Sequence, residues 1–387
     1  MNKILAFSQL VLERGATVQT GSAKTLAIVT AIFFFASSLS GSFLTVYYHE
    51  ELHMSILQII EILLITFPII GFLPLILLQV VRNFERIVAV GIFSTMIFYV
   101  VLIFAKGPMS LGFVYGISTA TFWPSFNLLQ FRLGGSDKRA RTISIFSVVI
   151  PSLTSIIGPA VGGFTIEKFG FTTLFALTIT LYVAAFFLSL RMHFQPEAYA
   201  FSIPKNRAFT LFFMTFIILG FSESYWIAHP LFVKGISETY INMGTVLAFS
   251  AILISAVTFL VNWLSDIKKT RVSFAVLGTL LNTIWYFALT FVTKSYELVA
   301  LSLLSGMGSA FSLSWFAHYG DSFGKEHYAS ILVLMEVGLM IGRMSNLVPT
   351  YFYVSSGDFR SYFALVGAVL FSMIPLFVAS KKQSRST

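Results

Sequence analysis

Long, uncharged and strongly apolar runs recur along the chain, separated by short polar connections. About 20 residues rising 1.5 Å each cross roughly 30 Å of hydrocarbon, so each run is long enough to span a bilayer as an α-helix. The pattern predicts twelve spanning helices. Their predicted bounds are 25–48, 54–81, 87–105, 109–131, 142–166 and 171–190, then 209–233, 240–265, 272–292, 296–317, 328–353 and 360–379.

Lysines and arginines collect in every second connection of this arrangement. Of the 25 basic residues, most fall on the side that holds both termini, whereas the opposite side has only Lys106, Lys168, Lys234, Lys294 and Arg360. Basic residues favour cytoplasmic loops. We therefore predict a multi-pass protein of the cytoplasmic membrane, with both termini in the cytoplasm and an even number of helices.

The composition indicates a membrane protein and excludes several kinds of active site. The chain is 57% hydrophobic and 11% charged, whereas soluble domains carry about 25% charged residues. The net charge of +9 belongs to the cytoplasmic loops, so no nucleic-acid partner is predicted. The chain has no cysteine, which excludes thiolate metal sites and cysteine nucleophiles, and it has no common hydrolase or phosphate-loop spacing. We predict no enzymatic activity, no metal and no cofactor.

The fifth predicted helix contains a glycine-proline motif in which Gly158, Pro159, Gly162 and Gly163 fall within one and a half turns. Gly158 and Gly162 share one face, where they allow another helix to approach closely. This residue pattern resembles the fifth-helix motif found in exporters and antiporters of the major facilitator superfamily of secondary transporters.

That resemblance implies an all-α membrane fold in which twelve transmembrane helices form two six-helix pseudo-repeat bundles. The expected division is 1–190 for the first bundle, 191–208 for a cytoplasmic linker and 209–387 for the second bundle. The two halves share features such as Phe171 and Phe359, which open similar segments at the start of the sixth and twelfth helices.

The superfamily's cytoplasmic signature is present in part. In the second half, Asp266 and Arg271 match it, and the resemblance implies that they lock a cytoplasmic gate. An ordinary charged turn is the alternative. In the first half, Val81 replaces the acidic residue. The arginine that proton-linked exporters place before a fourth-helix glycine is also missing, because Gly112 occupies that position.

Ionisable residues inside the predicted spans are functional candidates, because a charge in hydrocarbon is costly. Glu223 lies near the middle of the seventh helix, and Pro230 predicts a kink or an unwound segment near His229. Broken helices near the midplane often form transport sites. We therefore predict that Glu223 is a proton carrier in the pathway, with a structural hydrogen bond as the alternative.

Two further ionisable residues lie in the eleventh helix. Arg343 is at a depth similar to that of Glu61 in the second helix, and in the superfamily these two helices face each other. We therefore predict a Glu61–Arg343 gate; the alternative is that each residue bonds within its own half. Glu336 is either a cavity carboxylate or a partner for a basic group, and the small residues Gly338 and Gly342 favour close packing of this helix.

The resemblance implies that helices 1, 4, 7 and 10 line the pathway. The polar and aromatic candidates on these helices are Ser37, Tyr115, Thr119, Trp123, Asn127, Gln130, Trp226, Ser309 and Trp315. Aromatic faces with few charges suit an amphipathic or neutral organic solute.

The function predicted from the sequence is alternating-access secondary transport of a small organic solute, with proton-coupled export as the specific form. The expected partners are the solute, protons and membrane lipids, and the chain is expected to be a monomer. The alternatives are an importer of a sugar, an amino acid or a peptide, a lipid flippase, or a non-transporting membrane protein derived from the same fold.

Overall fold

The computed structural model describes residues 20–104, 107–144, 146, 150–194, 201–268, 271–323 and 327–383. Their regular secondary structure is helical throughout. Helices are expected here, since a helix pairs its own backbone groups where no water is available. Large apolar side chains such as Phe104, Phe187 and Phe291 remain exposed on the outside of the bundle, as a lipid-facing surface requires.

The first half contains six helices. These are α1 (Thr20–Ser40, continued by the short turns Gly41–Phe43, Leu44–Val46 and Tyr47–Glu51), α2 (Ile56–Val80), α3 (Phe84–Phe104), α4 (Pro108–Ser144), α5 (Ile150–Ser155 and 158–169) and α6 (171–189). The second half contains six more. These are α7 (Arg207–Phe221, Ser224–Trp226 and Ala228–Ser237), α8 (Tyr240–Lys268), α9 (Arg271–Leu289), α10 (Ser295–Asp321), α11 (Tyr328–Pro349, continued by Thr350–Val354) and α12 (Phe359–Phe371 and Met373–Gln383).

Helices therefore occupy all twelve predicted positions, and the predicted fold class is confirmed. Among the described residues, nine stretches are long and apolar enough to cross a membrane. One of these, Ile150–Ser189, contains both α5 and α6.

The chain reverses direction between α5 and α6 at Gly170, whose φ of 80° favours glycine. The rings of Tyr47 and Phe171 lie 4.9 Å apart near this turn. These two residues belong to α1 and to the start of α6. At the opposite end of α1 and α6, the Ser22 hydroxyl donates a hydrogen bond to the His193 carbonyl at 2.9 Å. Thus α6 runs antiparallel to α1. We call the end near Ser22 and His193 the terminal face, and the end near Tyr47 and Gly170 the far face.

Two helix bounds differ from the prediction. Helix α4 continues to Ser144, well beyond the predicted end at 131. Hydropathy marks where a helix leaves the hydrocarbon, but its backbone hydrogen bonds can continue into water. The break in α7 lies at residues 222–227 and not near His229. Within the predicted linker, residues 195–200 lie outside the described parts of the chain.

The glycine-proline motif packs α5 against two other helices. A Cβ at Gly158 would overlap the Ser38 hydroxyl of α1, and one at Gly162 would overlap the Leu39 carbonyl oxygen of the same helix. A Cβ at Gly163 would overlap the carbonyl oxygen of Tyr240 in α8. Helix α5 therefore contacts both α1 of its own half and α8 of the second half.

Small residues also bring α7 and α11 together. A Cβ at Gly220 of α7 would overlap the Leu339 carbonyl oxygen, and one at Gly342 of α11 would overlap the Ile217 carbonyl oxygen. Because the two backbones are this close, polar side chains from α7 can reach those of α11. This contact positions the candidate site.

Candidate functional site

The break in α7 is held open by hydrogen bonds to its backbone. Tyr286 of α9 donates its hydroxyl to the Ser222 carbonyl, and Asn346 of α11 donates its side-chain amide to the Phe221 carbonyl. The Thr45 hydroxyl of α1 donates to the Trp226 carbonyl at 2.7 Å. These donors satisfy carbonyls that lose their helical partners, which an unwound segment at membrane depth requires.

Pro230 does not break the helix where the sequence suggested. It lies in the first turn of the segment Ala228–Ser237. A first-turn residue has no helical acceptor for its N–H group, so proline is tolerated there. The proline therefore follows the break, and Glu223 rather than His229 lies inside it, with φ −75° and ψ 69°.

A cluster of three charged residues joins α7 to α11 at the break. The Arg343 Nε atom lies 2.6 Å from Glu223 Oε2, and its Nη2 atom lies 3.0 Å from Glu223 Oε1. The third guanidinium nitrogen, Nη1, lies 3.4 Å from Glu336 Oε2. The Glu223–Arg343 pair is thus bidentate, which is the strong geometry for a carboxylate and a guanidinium. Two carboxylates and one guanidinium carry one net negative charge when both acids are ionised.

Aromatic rings enclose this charge cluster. The Trp226 indole donates a hydrogen bond to Glu223 Oε2 at 2.8 Å. The Arg343 guanidinium carbon lies 5.7 Å from the Trp226 ring centroid and 6.0 Å from that of Phe67 in α2. The side chains of Arg343 and Glu336 are 9% and 7% exposed, so water barely reaches them. Phe67 brings the first half into contact with the cluster.

A cavity of about 500 Å³ lies beside the charge cluster. The described residues that line it all belong to the second half, from α7, α8, α9, α10 and α12. Four predicted pathway residues line it: Glu223, His229, Ser309 and Trp315. The sequence reasoning did not identify Asn282, Trp285 and Tyr286 of α9, because the resemblance assigned the pathway to four other helices.

The structure places the predicted pathway residues of the first half elsewhere. Tyr115 stacks on Phe98 at 4.7 Å and meets Trp226 at 6.0 Å. Trp123 packs against Phe34 at 5.5 Å. The other predicted pathway residues of α4 are Thr119, Asn127 and Gln130, which are half-buried or buried. The Gln130 amide donates a hydrogen bond to Asn127 Oδ1 at 3.5 Å. Together with the half-buried Ser37, they do not reach the cavity, and their role in a pathway stays a prediction.

The predicted gate is only partly described. The predicted Glu61–Arg343 pair is wrong for this arrangement, because Glu223 and Glu336 bind Arg343 whereas the Glu61 side chain is exposed. The side chain of Asp266 lies outside the described parts of the chain. Arg271 begins α9 and is half-buried near His318 of α10.

Four residues tie the two halves together at the far face, and we call them the far-face cluster. Lys234 Nζ lies 3.3 Å from Glu50 Oε1, and the Tyr240 hydroxyl donates to Glu50 Oε2 at 2.7 Å. The Tyr240 backbone N–H donates to Glu167 Oε2 at 3.0 Å. Sequence reasoning missed this cluster. The available signal was the opposite charge of far-face residues in the two halves.

Comparisons with known proteins agree with this architecture. The sequence profile described as Major Facilitator Superfamily matches residues 211–387. The fold is similar to that of a peptide transporter, POT, with a TM-score of 0.74 at 13% identity over 97% of this chain and 98% of that chain. It is also similar to that of the nucleoside transporter NupG, with a TM-score of 0.67 at 13% identity over 92% of this chain and 99% of that chain.

The second half of this chain therefore matches the major facilitator superfamily in sequence, and the whole chain resembles two transporters in fold. A curated relative, the uncharacterized protein YqgE of Bacillus subtilis (strain 168), is 26% identical over 187 residues. The match covers 43% of this chain and 42% of YqgE, so the chain spans about two fifths of the length of that relative. The profile match, together with the apolar helices, indicates a multi-pass membrane protein.

The described residues contain no group of three or more His, Asp or Glu side chains suited to a metal ion. The arrangement instead offers a dry ion-pair cluster at a broken helix, with a cavity beside it. Such a cluster can exchange a proton or change partners, and either event would alter how α7 and α11 are held together.

Proposed function

We propose that this chain is a secondary active transporter that moves a small organic solute by alternating access and couples its movement to protons. The observation that carries the proposal is the Glu223–Arg343–Glu336 cluster at the α7 break. Buried ionisable groups at a broken membrane helix are typical of transport pathways and proton relays.

The charge balance of the cluster supports proton coupling. With both carboxyls ionised, the cluster has one net negative charge in a site that water barely reaches. One bound proton would neutralise the cluster and weaken one carboxylate's attraction for Arg343. Because Glu223 is on α7 and Arg343 is on α11, this would loosen a contact between two helices that also pack against the first half.

The far-face cluster supports alternating access. Its contacts link Glu50 and Glu167 of the first half to Lys234 and Tyr240 of the second half. These side chains are polar and partly exposed, so water can replace their hydrogen bonds at little cost when the halves separate. An arrangement open to the far face would require their release.

The cavity lining supports an amphipathic organic solute. Its described residues combine aliphatic and aromatic side chains with hydroxyls and the Asn282 amide, and Glu223 is the acidic residue among them. The two transporters of similar fold are named for peptides and nucleosides, which are also organic solutes with several polar groups. Export is the direction that the fifth-helix motif favours, with both termini on the cytoplasmic side. Import of a sugar, an amino acid or a peptide is the alternative.

The test begins with purified protein and a panel of dipeptides, nucleosides and amphipathic amines, screened for compounds that raise the melting temperature. A compound that binds is then loaded into proteoliposomes, and its flux is measured with and without a pH gradient. We expect a gradient to drive flux in the wild-type chain. Glu223→Gln should abolish this dependence while keeping solute exchange at equal pH, whereas Glu51→Gln, an exposed far-face acid, should behave as the wild type.

Three outcomes would contradict the proposal in different ways. Gradient-driven flux that survives Glu223→Gln removes this residue from coupling. Binding without flux under any gradient favours a non-transporting protein derived from the fold. Flux of fluorescent phospholipids between leaflets, without solute flux, favours a lipid flippase.

A further inference from the structure

The cavity beside the charge cluster lies inside the second half and not between the two halves. It extends along α10 from Leu298 to Trp315, about 25 Å at 1.5 Å per residue. Helices α9 and α12 close it on the side away from α11, through residues such as Trp285 and Met373. Among the described residues of α1 to α6, none lines it.

The equivalent interior of the first half is filled by aromatic rings. Phe33 of α1 stacks on Phe122 of α4 with their centroids 3.7 Å apart, and Phe122 stacks in turn on Phe126 at 5.3 Å. Tyr182 of α6 meets Phe33 at 5.4 Å. The two halves therefore differ at this place although their helices correspond: stacked rings fill the described interior of the first half, whereas the second half contains space for a ligand.

The cavity wall presents hydrogen-bonding groups at several heights. Ser305 and Ser309 face it from α10, Ser250 faces it from α8 and Asn282 faces it from α9. Aliphatic side chains and the rings of Trp285 and other aromatic residues supply the rest of the surface. A molecule with an apolar body and a few polar groups matches this distribution better than a strongly hydrated one.

Charge narrows the ligand class further. Glu223 lines the cavity, whereas no lysine or arginine is found among the described residues that line it. Arg343 lies on the opposite side of Glu223, where Glu223 and Glu336 together outweigh its charge when both acids are ionised. A cation entering the cavity would meet a net negative site and aromatic faces that attract it, whereas an anion would be repelled.

We propose that the second half alone holds a ligand site in this cavity, and that its ligand is an amphipathic organic molecule with a single positive charge. This proposal adds to the proposed function by giving the place where the transported solute binds. It rests on that function only in assuming that the bound ligand is transported. Binding itself can be tested without transport.

The natural absence of cysteine allows a direct test, because any introduced thiol is unique. Ser305→Cys and Ser309→Cys place thiols on the cavity wall, whereas Thr119→Cys places one on α4 of the first half as the matched control. Each purified variant is reacted with a small methanethiosulfonate reagent, with and without tetraphenylphosphonium as the probe. Tetraphenylborate, an anion of the same shape, is the matched control for charge.

We expect tetraphenylphosphonium at ten times its dissociation constant to slow labelling of the two α10 thiols about tenfold, because only the unoccupied fraction reacts. The Thr119→Cys variant should keep its labelling rate, and tetraphenylborate should protect neither half. Using two α10 positions guards against one variant that fails to fold.

The proposal is overturned if the probe protects the α4 thiol as strongly as the α10 thiols, which would place the ligand between the halves. It is also overturned if the α10 thiols do not react, if the probe does not bind, or if the anion protects equally. Protection without gradient-driven flux would contradict the proposed transport function but leave the site intact. Flux of the probe without protection at α10 would contradict the ligand site but leave the proposed transport function intact.

Discussion

Neutralising the three members of the charge cluster one at a time should give three different losses of stability. Arg343 makes two short hydrogen bonds with Glu223, at 2.6 and 3.0 Å, but only one longer contact with Glu336, at 3.4 Å. The geometry therefore ranks the changes. Arg343→Gln should cost most, Glu223→Gln less, and Glu336→Gln least.

The magnitudes follow from what each change leaves behind. Removing one partner of a buried ion pair costs about 3–5 kcal/mol, because the other charge stays buried. Arg343→Gln deprives two carboxylates of their cation, so we expect about 5 kcal/mol. Glu223→Gln leaves Arg343 in contact with Glu336, so we expect about 3 kcal/mol. Glu336→Gln removes one long hydrogen bond, worth about 1 kcal/mol.

Equilibrium unfolding of the purified protein in mixed micelles, followed by tryptophan fluorescence, measures these free energies. A double-mutant cycle of Glu223→Gln and Arg343→Gln isolates the coupling between the two residues. The exposed-site control Glu51→Gln should stay within about 0.5 kcal/mol of the wild type. The reasoning fails if Glu336→Gln costs as much as Glu223→Gln, or if Arg343→Gln leaves the unfolding free energy unchanged.

Three further predictions concern the contacts that position the site. Lys234→Met should lower the unfolding free energy by less than about 1 kcal/mol, because its ion pair with Glu50 is partly exposed; a loss as large as that of Glu223→Gln would contradict it. Gly162→Ala should lower the unfolding free energy by about 1–3 kcal/mol, because the added Cβ would overlap α1. The control Gly235→Ala, where a Cβ meets nothing within 4 Å, should be neutral or slightly stabilising. Equal melting temperatures for the two variants would refute the packing argument. Gly170→Ala should destabilise by about 1–2 kcal/mol despite open space around it, because its φ is positive; an unchanged melting temperature would show that the turn can relax.

The sequence was a reliable guide wherever a property is local to one helix. The twelve helix positions follow from the length of each apolar run, because the hydrocarbon imposes that length on every crossing. Likewise, the ionisable residues Glu223, Glu336 and Arg343 could be identified individually, since each is out of place in an apolar run.

The residues that pair with Glu223, Glu336 and Arg343 could not be predicted from a single sequence. Glu61 and Arg343 were paired by their depth and by the facing of helices 2 and 11 that the resemblance implies. The close packing of α7 on α11 at Gly220 and Gly342 put Glu223 within reach of Arg343 instead. The α7 break was also misplaced, because proline restricts its own turn, whereas the carbonyls at the break are held by Tyr286 and by residues of two other helices.

By itself, the sequence determined that the chain crosses a membrane as helices, where those helices lie along the chain and which buried charges need an explanation. Only the tertiary structure decided which charges meet, that the far face is tied by Glu50 and Lys234, and that the open space lies in one half. The physical reason is that hydropathy and helix period act along one chain segment. Side-chain pairing and cavities depend instead on how closely separate backbones approach, and that distance is set by small residues acting in pairs across helices.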